Sequence, residues 1–515
     1  MKFFITALIL ACSCTGYSQM KNEDIDVEIM PLYKLEDRAI PVDLVGYDSS
    51  GYYLHYSGGR FGQGESSLRK FTKNLTPTDI SRELINEADS EYESTLGMIQ
   101  IDTAIYHVSI EIKPNYHRYY LQTINLRDFS LGYKKLIAQV DRDARSPNRA
   151  FRQFLVSKDT SRIALLYTIP NKNLDNQKIR ILQYNNKFEP ISENDYEFPY
   201  RNRQFQLYDL TLQSSGECLM LVRNFLTDRI TYDMNHGNYD YMLYSLIDGE
   251  YNMINRIKAN GNHLRQVDLI EKESGEIVVA GMYSKKNMYS IKGIMHQRIN
   301  REGSKPEPIK SYEFDEDFFT KLLVSPKKER VIRKISKGSY EDPYYVLYNI
   351  LEYDNGDLLF VAEQIHTVIS NYVATYFHEN IALIRLDEQG NIVWYNKIGK
   401  KNIKNNVAYY SHYNLIKRED ENVYFLYNGN TQNLHHRMGP VKGSFGSDQG
   451  KAFLATKLTP DGEYKRIILA IDSQLEGIRI RPGLTRWISD DELLLFGQDP
   501  SNVKNQRFVK LKFKE

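Results

Sequence analysis

The sequence has few cysteines and tryptophans, no excess of either charge and no second long apolar run. Its 515 residues include three Cys and two Trp, with 67 Lys and Arg against 66 Asp and Glu. A formal charge of +1 gives no electrostatic drive towards nucleic acid or anionic lipid, so we expect neither as a partner. After the N-terminus no stretch reaches the roughly 18 apolar residues that a membrane helix needs. The composition is that of a folded, water-soluble chain.

Residues 1–18 have the layout of a secretory signal peptide. A basic second residue precedes the apolar run Phe3 to Ala11, and small and polar residues follow as far as Ser18. We therefore predict cleavage before Gln19 and export to the periplasm, the cell surface or the extracellular space. The four residues that end at Cys12 also resemble a lipoprotein cleavage site, so a lipid anchor at Cys12 remains an alternative.

Cleavage before Gln19 would leave Cys218 as the single cysteine and would exclude an intramolecular disulfide. Cys218 begins the apolar run Cys218 to Val222. This context indicates a small buried hydrophobic residue and not a nucleophile.

A short internal repeat runs through the rest of the chain. A turn followed by an apolar strand recurs, most clearly as SGEIVVAG, NGDLLFVAE and DDELLLFGQ. A hairpin follows many copies, often around Asp-Gly, which favours the tight turns of hairpins. Four strands in about 50 to 80 residues, without helical periodicity, are typical of a propeller blade. Strands that are apolar throughout fit burial on both faces between blades.

We therefore predict an all-β fold, a single β-propeller over residues 19–515 with eight four-stranded blades, seven being the alternative. The predicted units are 41–90, 93–140, 150–198, 204–258, 263–313, 344–400, 408–470 and 480–514.

Two segments stand outside the repeat. The last unit has only three strands, so we expect the extra strand Asp26 to Leu35 to complete that blade and close the ring. Residues 314–343 carry acidic residues first and basic residues last, which suits a small helical insertion.

The outer hairpin of the sixth unit resembles the repeat of quinoprotein-like bacterial propellers. Leu386 to Trp394 reads LDEQGNIVW, and in that repeat an Asp, a Gly and a Trp recur. Other units keep at best the turn glycine, as at Gly462, so no cofactor is implied, and the Trp-Asp blade signature is absent. In general texture the chain is similar to uncharacterised secreted propellers of Gram-negative bacteria. This resemblance implies the fold and export, and it carries no catalytic residues.

Loop lengths predict where a ligand binds. The first-to-second and third-to-fourth connections are short, whereas the second-to-third and blade-to-blade connections are long and emerge together on what we call the long-loop face. Insertions gathered on one face of a repeat protein usually mark its binding surface. The candidate ligand-binding residues there are Arg60, Phe61, Asp228, Arg229, His236, His366, Tyr376, His378 and Arg437.

Catalytic and metal motifs are absent. His366, His378 and Glu379 contain potential metal ligands, but no diagnostic spacing, so we predict no metal and interpret the histidines as solvated loop residues. GSFGSDQGK, which ends at Lys451, fails the phosphate-loop pattern, and the segment after Asp233 fails the calcium-loop pattern. No hydrolase elbow or zinc-protease helix occurs, so no catalytic residue is assigned.

The sequence favours an exported, non-enzymatic binding protein that recognises a protein, peptide or glycan on the long-loop face. Two alternatives stay open. One is a hydrolase or lyase that degrades polysaccharide or peptide at the central channel, and the other is a structural component of an envelope assembly.

Overall fold

A computed structural model shows an eight-bladed β-propeller, which confirms the predicted fold class. It describes residues 18–35, 39–57, 66–84, 93–101, 104–141, 152–169, 175–227, 238–258, 262–272, 275–287, 289–299, 307–405, 408–434, 443 and 450–514. Within these ranges no helix is both long enough and apolar enough to cross a membrane. Residues 1–17, which include Cys12 and all of the predicted signal peptide except Ser18, lie outside the described residues.

Each blade is a four-stranded antiparallel sheet, and we name its strands A to D in chain order. Blades 1 to 4 are Ile40–Asp48, Gly51–Ser57, Ser66–Phe71, Pro77–Glu83; Glu93–Ile101, Ala104–Ile112, Tyr116–Ile124, Lys135–Asp141; Arg152–Val156, Arg162–Thr168, Asn176–Asn185, Pro190–Arg201; and Phe205–Leu212, Cys218–Phe225, Tyr239–Ile247, Glu250–Lys258. Blades 5 to 8 are His263–Glu271, Ile277–Ser284, Gly293–Ile299, Lys310–Glu313; Tyr345–Glu352, Leu358–Ser370, Val373–Leu386, Ile392–Ile398; Tyr413–Lys417, Val423–Asn430, Lys451–Leu458, Tyr464–Ile471; and Arg479–Trp487, Glu492–Gln498, Asn505–Phe513 with Ile25–Ile29.

The A strands of neighbouring blades contact one another, which places them around the central channel. Eight buried apolar clusters fill the spaces between neighbouring blades. Strand B of blade 4 shows why these strands are apolar throughout and do not alternate between apolar and polar residues. Met220 and Val222 pack towards blade 3, whereas Leu219 and Leu221 pack towards blade 5. Cys218 is fully buried in the first of these clusters, and burial raises the pKa of its thiol to about 12.

The N-terminal strand closes the ring, as predicted. Ile25–Ile29 pairs antiparallel with the C-terminal strand Asn505–Phe513, and Tyr33–Lys34 pairs with the start of the same strand. Ser18–Lys21 adds a further strand outside Ile25–Ile29. Ile25, Val27 and Ile29 are buried against blade 7, so the chain ends are joined by apolar packing as well as by backbone hydrogen bonds.

The predicted insertion contains helices α1 (Glu316–Thr320) and α2 (Lys327–Ser336). Asp315 caps α1, since its side chain accepts a hydrogen bond from the backbone N–H of Phe318 at 2.9 Å. Phe318 and Phe319 are buried between blades 5 and 6. The short pair Ser290–Ile291 and Asp342–Pro343 ties the end of the insertion to blade 5. A third short helix, α3, spans Asp472–Leu475.

One expected loop proved to be a hairpin. The second-to-third connection of the sixth unit, which we expected to be one of the long loops and to span residues 366–379, is absent because Leu358–Ser370 and Val373–Leu386 continue as paired strands and turn at Asn371 and Tyr372. The outer part of the second strand also pairs with Asn402–Asn405. Most residues of this segment are β-branched or aromatic, and these side chains favour extended strands. We call residues 365–378 the blade 6 hairpin.

Trp394 joins blade 6 to blade 7. Its Nε1 donates to the carbonyl of Pro460 at 2.9 Å, in the turn between strands C and D of blade 7. Gly462 in that turn has a φ of 91°, and a Cβ there would overlap the Trp394 ring. The Trp of the LDEQGNIVW motif therefore serves packing between blades 6 and 7 in this chain.

Candidate functional site

Bulges interrupt five of the A strands near their first residues, at the long-loop end. One extra residue interrupts the pairing with strand B in five blades, at Val42, Leu96, Tyr208, Arg265 and Tyr348. Bulges re-aim side chains and occur often beside functional sites. Blades 4, 5 and 6 are neighbours in the ring, and their bulged residues Tyr208, Arg265 and Tyr348 are polar. These three residues define one sector of the channel mouth, which is the long-loop end of the channel.

Arg265 lies at the centre of this sector with tyrosines around it. Its Nη1 donates to the Tyr289 carbonyl at 2.8 Å, and its own carbonyl accepts from the Tyr208 hydroxyl at 3.4 Å. Burial lowers the pKa of the guanidinium to about 10. The ionisable groups that influence it are tyrosines, and no carboxylate of the described residues forms an ion pair with it. A partly desolvated cation without an acidic partner suits an anionic ligand group.

Three stacked rings continue this surface outwards. The His366 ring lies between Tyr344, with ring centroids 4.9 Å apart, and Phe377, with centroids 4.3 Å apart and planes within 7°. Tyr344 has a φ of 67°, a left-handed conformation that is rare for a bulky residue. Hydrogen bonds hold it there, since its N–H donates to Tyr289 and its carbonyl accepts from the N–H of Ile365. Such strain marks a position that the surrounding structure fixes.

A buried polar cluster lies beside the rings, where blades 6 and 7 meet. The Glu363 carboxylate is completely buried and accepts from Lys400 Nζ at 2.5 Å and from His412 Nδ1 at 2.5 Å. His378 Nδ1 lies 3.4 Å from the same carboxylate. Lys400 also donates to the carbonyl of Ser411, so the cluster fixes the connection that leads into blade 7.

Glu363 remains ionised in this setting. Burial alone would raise the pKa of its carboxyl, but the Lys400 charge and hydrogen bonds from both histidines outweigh burial and hold the pKa well below its usual range. The His412 side chain is 31% exposed, and its ring lies 4.5 Å from that of Tyr348. With Nδ1 held by a carboxylate, an accessible imidazole is oriented for proton transfer through its other nitrogen.

The cluster contains potential metal ligands but favours hydrogen bonding. One ligand atom each from Glu363, His378 and His412 lies within 4.8 Å of the others. However, Lys400 already neutralises the single carboxylate. A divalent ion would add two charges beside a buried ammonium, which strongly disfavours it.

Strand A of blade 4 and strand A of blade 5 each carry an acidic residue, Asp209 and Asp268. Burial raises the pKa of Asp209, and burial together with the Asp209 charge raises the pKa of Asp268 to about 6. Both residues follow a bulge in strand A of blades 4 and 5. Raised carboxyl pKa values are a feature of functional sites, although structural acids also show them.

Only some predicted site residues can be placed. His366, Tyr376 and His378 lie on the blade 6 hairpin, and Arg60, Phe61, Asp228, Arg229, His236 and Arg437 lie outside the described residues. His366 pairs across the hairpin with Phe377, whereas His378 pairs with Ile365. These alternate positions put the two histidines on opposite faces of the ribbon. The structure therefore does not bring together His366, His378 and Glu379, the potential metal ligands noted in the sequence. His378 lies beside Glu363 and His412 instead.

The sequence prediction missed Arg265, Tyr344, Glu363, Lys400 and His412. A signal existed for Glu363, because a carboxylate that directly continues the buried strand LLFVA requires a cationic or donor partner. For Arg265, Tyr344 and His412 the only signal was their position at or just before a strand A, which is where a propeller chain enters the channel mouth, and Lys400 follows strand D of blade 6 without any such signal.

No family model and no curated protein matches the chain. Solved structures resemble it at low identity. The Dos1 propeller has 9% identity and a TM-score of 0.43, covering 94% of each chain. The polysaccharide lyase Uly1 has 10% identity and a TM-score of 0.36, covering 95% of this chain and 100% of its own. An α-L-arabinofuranosidase of Fusarium graminearum, bound to an iminosugar inhibitor, has 10% identity and a TM-score of 0.32, covering 72% and 94%.

Proposed function

We propose that the protein is an exported binding module whose long-loop face recognises a glycan that carries an acidic group. The observation that supports this most is Arg265, a partly buried guanidinium surrounded by tyrosines and without a carboxylate partner in the described chain. A protein or peptide that carries an acidic group is the alternative ligand for the same face. The net charge of +1 provides no long-range attraction, so recognition would depend on this local cation.

The rings beside Arg265 support a glycan as the ligand. Tyr344, Tyr348 and Tyr289 are each at least 38% exposed, and each has a polar hydroxyl at the end of a flat apolar ring. Such side chains offer rigid contact area at low entropic cost. Sugar rings present apolar C–H faces to aromatic rings and hydroxyls to hydrogen-bonding groups, and an Arg binds carboxylate or sulfate in a bidentate manner.

We expect acidic polysaccharides to retard the protein in native affinity gels, and Arg265→Met to weaken this binding. The loss should be about 10- to 100-fold in Kd, because a charge-assisted hydrogen-bonding partner is removed. Arg265→Lys should retain only part of the affinity, since an ammonium cannot form the bidentate contact. The gels would contain polygalacturonate or alginate, with the neutral glucan laminarin for comparison.

Arg180→Met in strand C of blade 3 is the matched control, since Arg180 pairs with Glu193 and Asp195 of the outer strand D, far from the channel mouth. It should bind as the wild type does. Equal retardation of the wild type and Arg265→Met, or no retardation by any acidic polysaccharide, would argue against the proposal.

A second candidate is acid–base cleavage of the bound glycan, which two separate observations favour. His412 is an accessible imidazole oriented by Glu363, and burial with the Asp209 charge raises the pKa of Asp268, in strand A of blade 5, to about 6. A base and an acid of this kind each contribute about 10²- to 10⁴-fold to a proton-transfer reaction.

Under this alternative the wild type would release reducing ends from one of the polysaccharides, and His412→Gln would lose at least about 100-fold of that rate. Reducing-end assays over pH 5 to 8 measure both, with Arg180→Met on blade 3 again as the control. Absence of reducing ends from the wild type with every substrate would leave binding as the function.

A further inference from the structure

The blade 6 hairpin extends beyond its sheet and its tip is apolar. Strand A ends its pairing at Gln364, whereas strand B continues to Ser370. Ile369 is 75% exposed, Val368 is 47% exposed and Tyr372 is fully exposed. The 15 residues 364–378 contain no Asp, Glu, Lys or Arg, although 26% of the whole chain is charged. Exposed apolar residues without charges are typical of contact surfaces.

One edge of the hairpin is paired and the other is open. Asn402–Asn405 pairs with Thr375 to His378 along one strand. Along Thr367 to Ser370, no described strand pairs with the other edge. The N–H of Ile365 points to that edge, where it donates to Tyr344. Since backbone groups alternate in direction along an antiparallel strand, the N–H and C=O groups of Thr367 and Ile369 also point outwards.

This edge lacks the charges that protect other edges of the molecule. Strand D of blade 3 is also an outer strand, and it carries Glu193, Asp195 and Glu197. Charged residues on edge strands normally prevent pairing with another chain. Their absence along Thr367 to Ser370 favours pairing at this position.

The open edge is complementary to itself. In an antiparallel arrangement about a two-fold axis at Val368, Thr367 of one chain lies opposite Ile369 of the other. Because both residues present their backbone groups outwards, the two pairs can exchange four N–H···O=C hydrogen bonds. No like charges meet across the axis, where they would be destabilising.

We propose that the protein forms a two-fold dimer through this edge, with the two hairpins joined in one four-stranded sheet. The inference does not depend on the glycan-binding proposal. The interface is small, so the dimer is in concentration-dependent exchange with the monomer.

Sedimentation velocity tests the dimer over protein concentrations from about 1 to 300 μM, a range suited to a small interface. We expect the wild type to change from monomer to dimer as its concentration rises. Ile369→Pro, which removes an outward N–H and no hydrogen bond within the hairpin, should raise the dissociation constant at least about tenfold. Ile369→Lys should do the same, because it places one ammonium on each side of the two-fold axis, diagonally across the interface and within reach of each other.

Ile191→Lys on the outer strand of blade 3 is the matched control, and it should dimerise as the wild type does. Circular dichroism would confirm that each variant is folded. A wild type that remains monomeric throughout overturns the proposal, and binding of a synthetic peptide of residues 365–370 would then assign the edge to a foreign strand. A dimer that both Ile369 variants leave unchanged also overturns it.

Discussion

Replacing Lys400 with methionine is expected to lower the free energy of unfolding by about 3 to 5 kcal/mol, because it leaves the buried Glu363 carboxylate without its ammonium. Glu363→Leu alone should lower the free energy of unfolding by a similar amount, since it leaves the buried Lys400 ammonium without its carboxylate. The double variant should lose less than the sum, because neither charge remains. Denaturant unfolding of the four proteins measures the coupling between the two residues.

Lys178→Met provides the control, since Lys178 and Glu197 form an exposed ion pair on blade 3, and it should be nearly neutral. The acid dependence follows from Glu363. Because its folded-state pKa is lowered, its stabilisation is present at neutral pH and is lost only as the pH falls below about 4 towards the folded-state value. Additive single losses would show that the two residues do not act as a buried pair.

Val27→Asp should be at least as destabilising, because it opens the ring. Val27 is fully buried where the N-terminal strand packs against blade 7. A carboxylate there would have no partner, and the expected loss is about 4 kcal/mol or more. Thermal unfolding would record the loss, and hydrogen exchange would show faster opening of Asn505–Phe513, the strand that Val27 pairs with.

Glu28→Gln is the matched control one residue away. Glu28 points outwards and pairs with Lys510 at 3.0 Å, so this variant should unfold nearly as the wild type does. If Val27→Asp unfolded like Glu28→Gln, the N-terminal strand would not close the propeller in solution.

The blades were predictable because their information is local. A B strand such as Leu219 to Val222 alternates between two apolar clusters, so it reads as a continuous apolar run between turn signals. The predicted units 204–258 and 263–313 match blades 4 and 5 to within one residue. Ring closure was predictable because the last predicted unit had only three strands and the N-terminal strand belonged to no unit.

The blade 6 hairpin and the site were not predictable, for two physical reasons. The hairpin turns at Asn371 and Tyr372, both at positive φ, and no glycine marks the turn. The site depends on contacts that are distant in sequence, since Glu363 meets Lys400 and His412 only when blades 6 and 7 pack together. Likewise the Arg265 environment includes Tyr208 and Tyr348, which belong to the two neighbouring blades.

Hydrogen exchange of the protein with and without a bound acidic polysaccharide would locate the binding face. We expect slower exchange at the start of strand A in blades 5 and 6, around Arg265 and Tyr348, and along the blade 6 hairpin. Slower exchange confined to the opposite face, at the short turns 213–217, 353–357 and 459–463, would contradict this expectation.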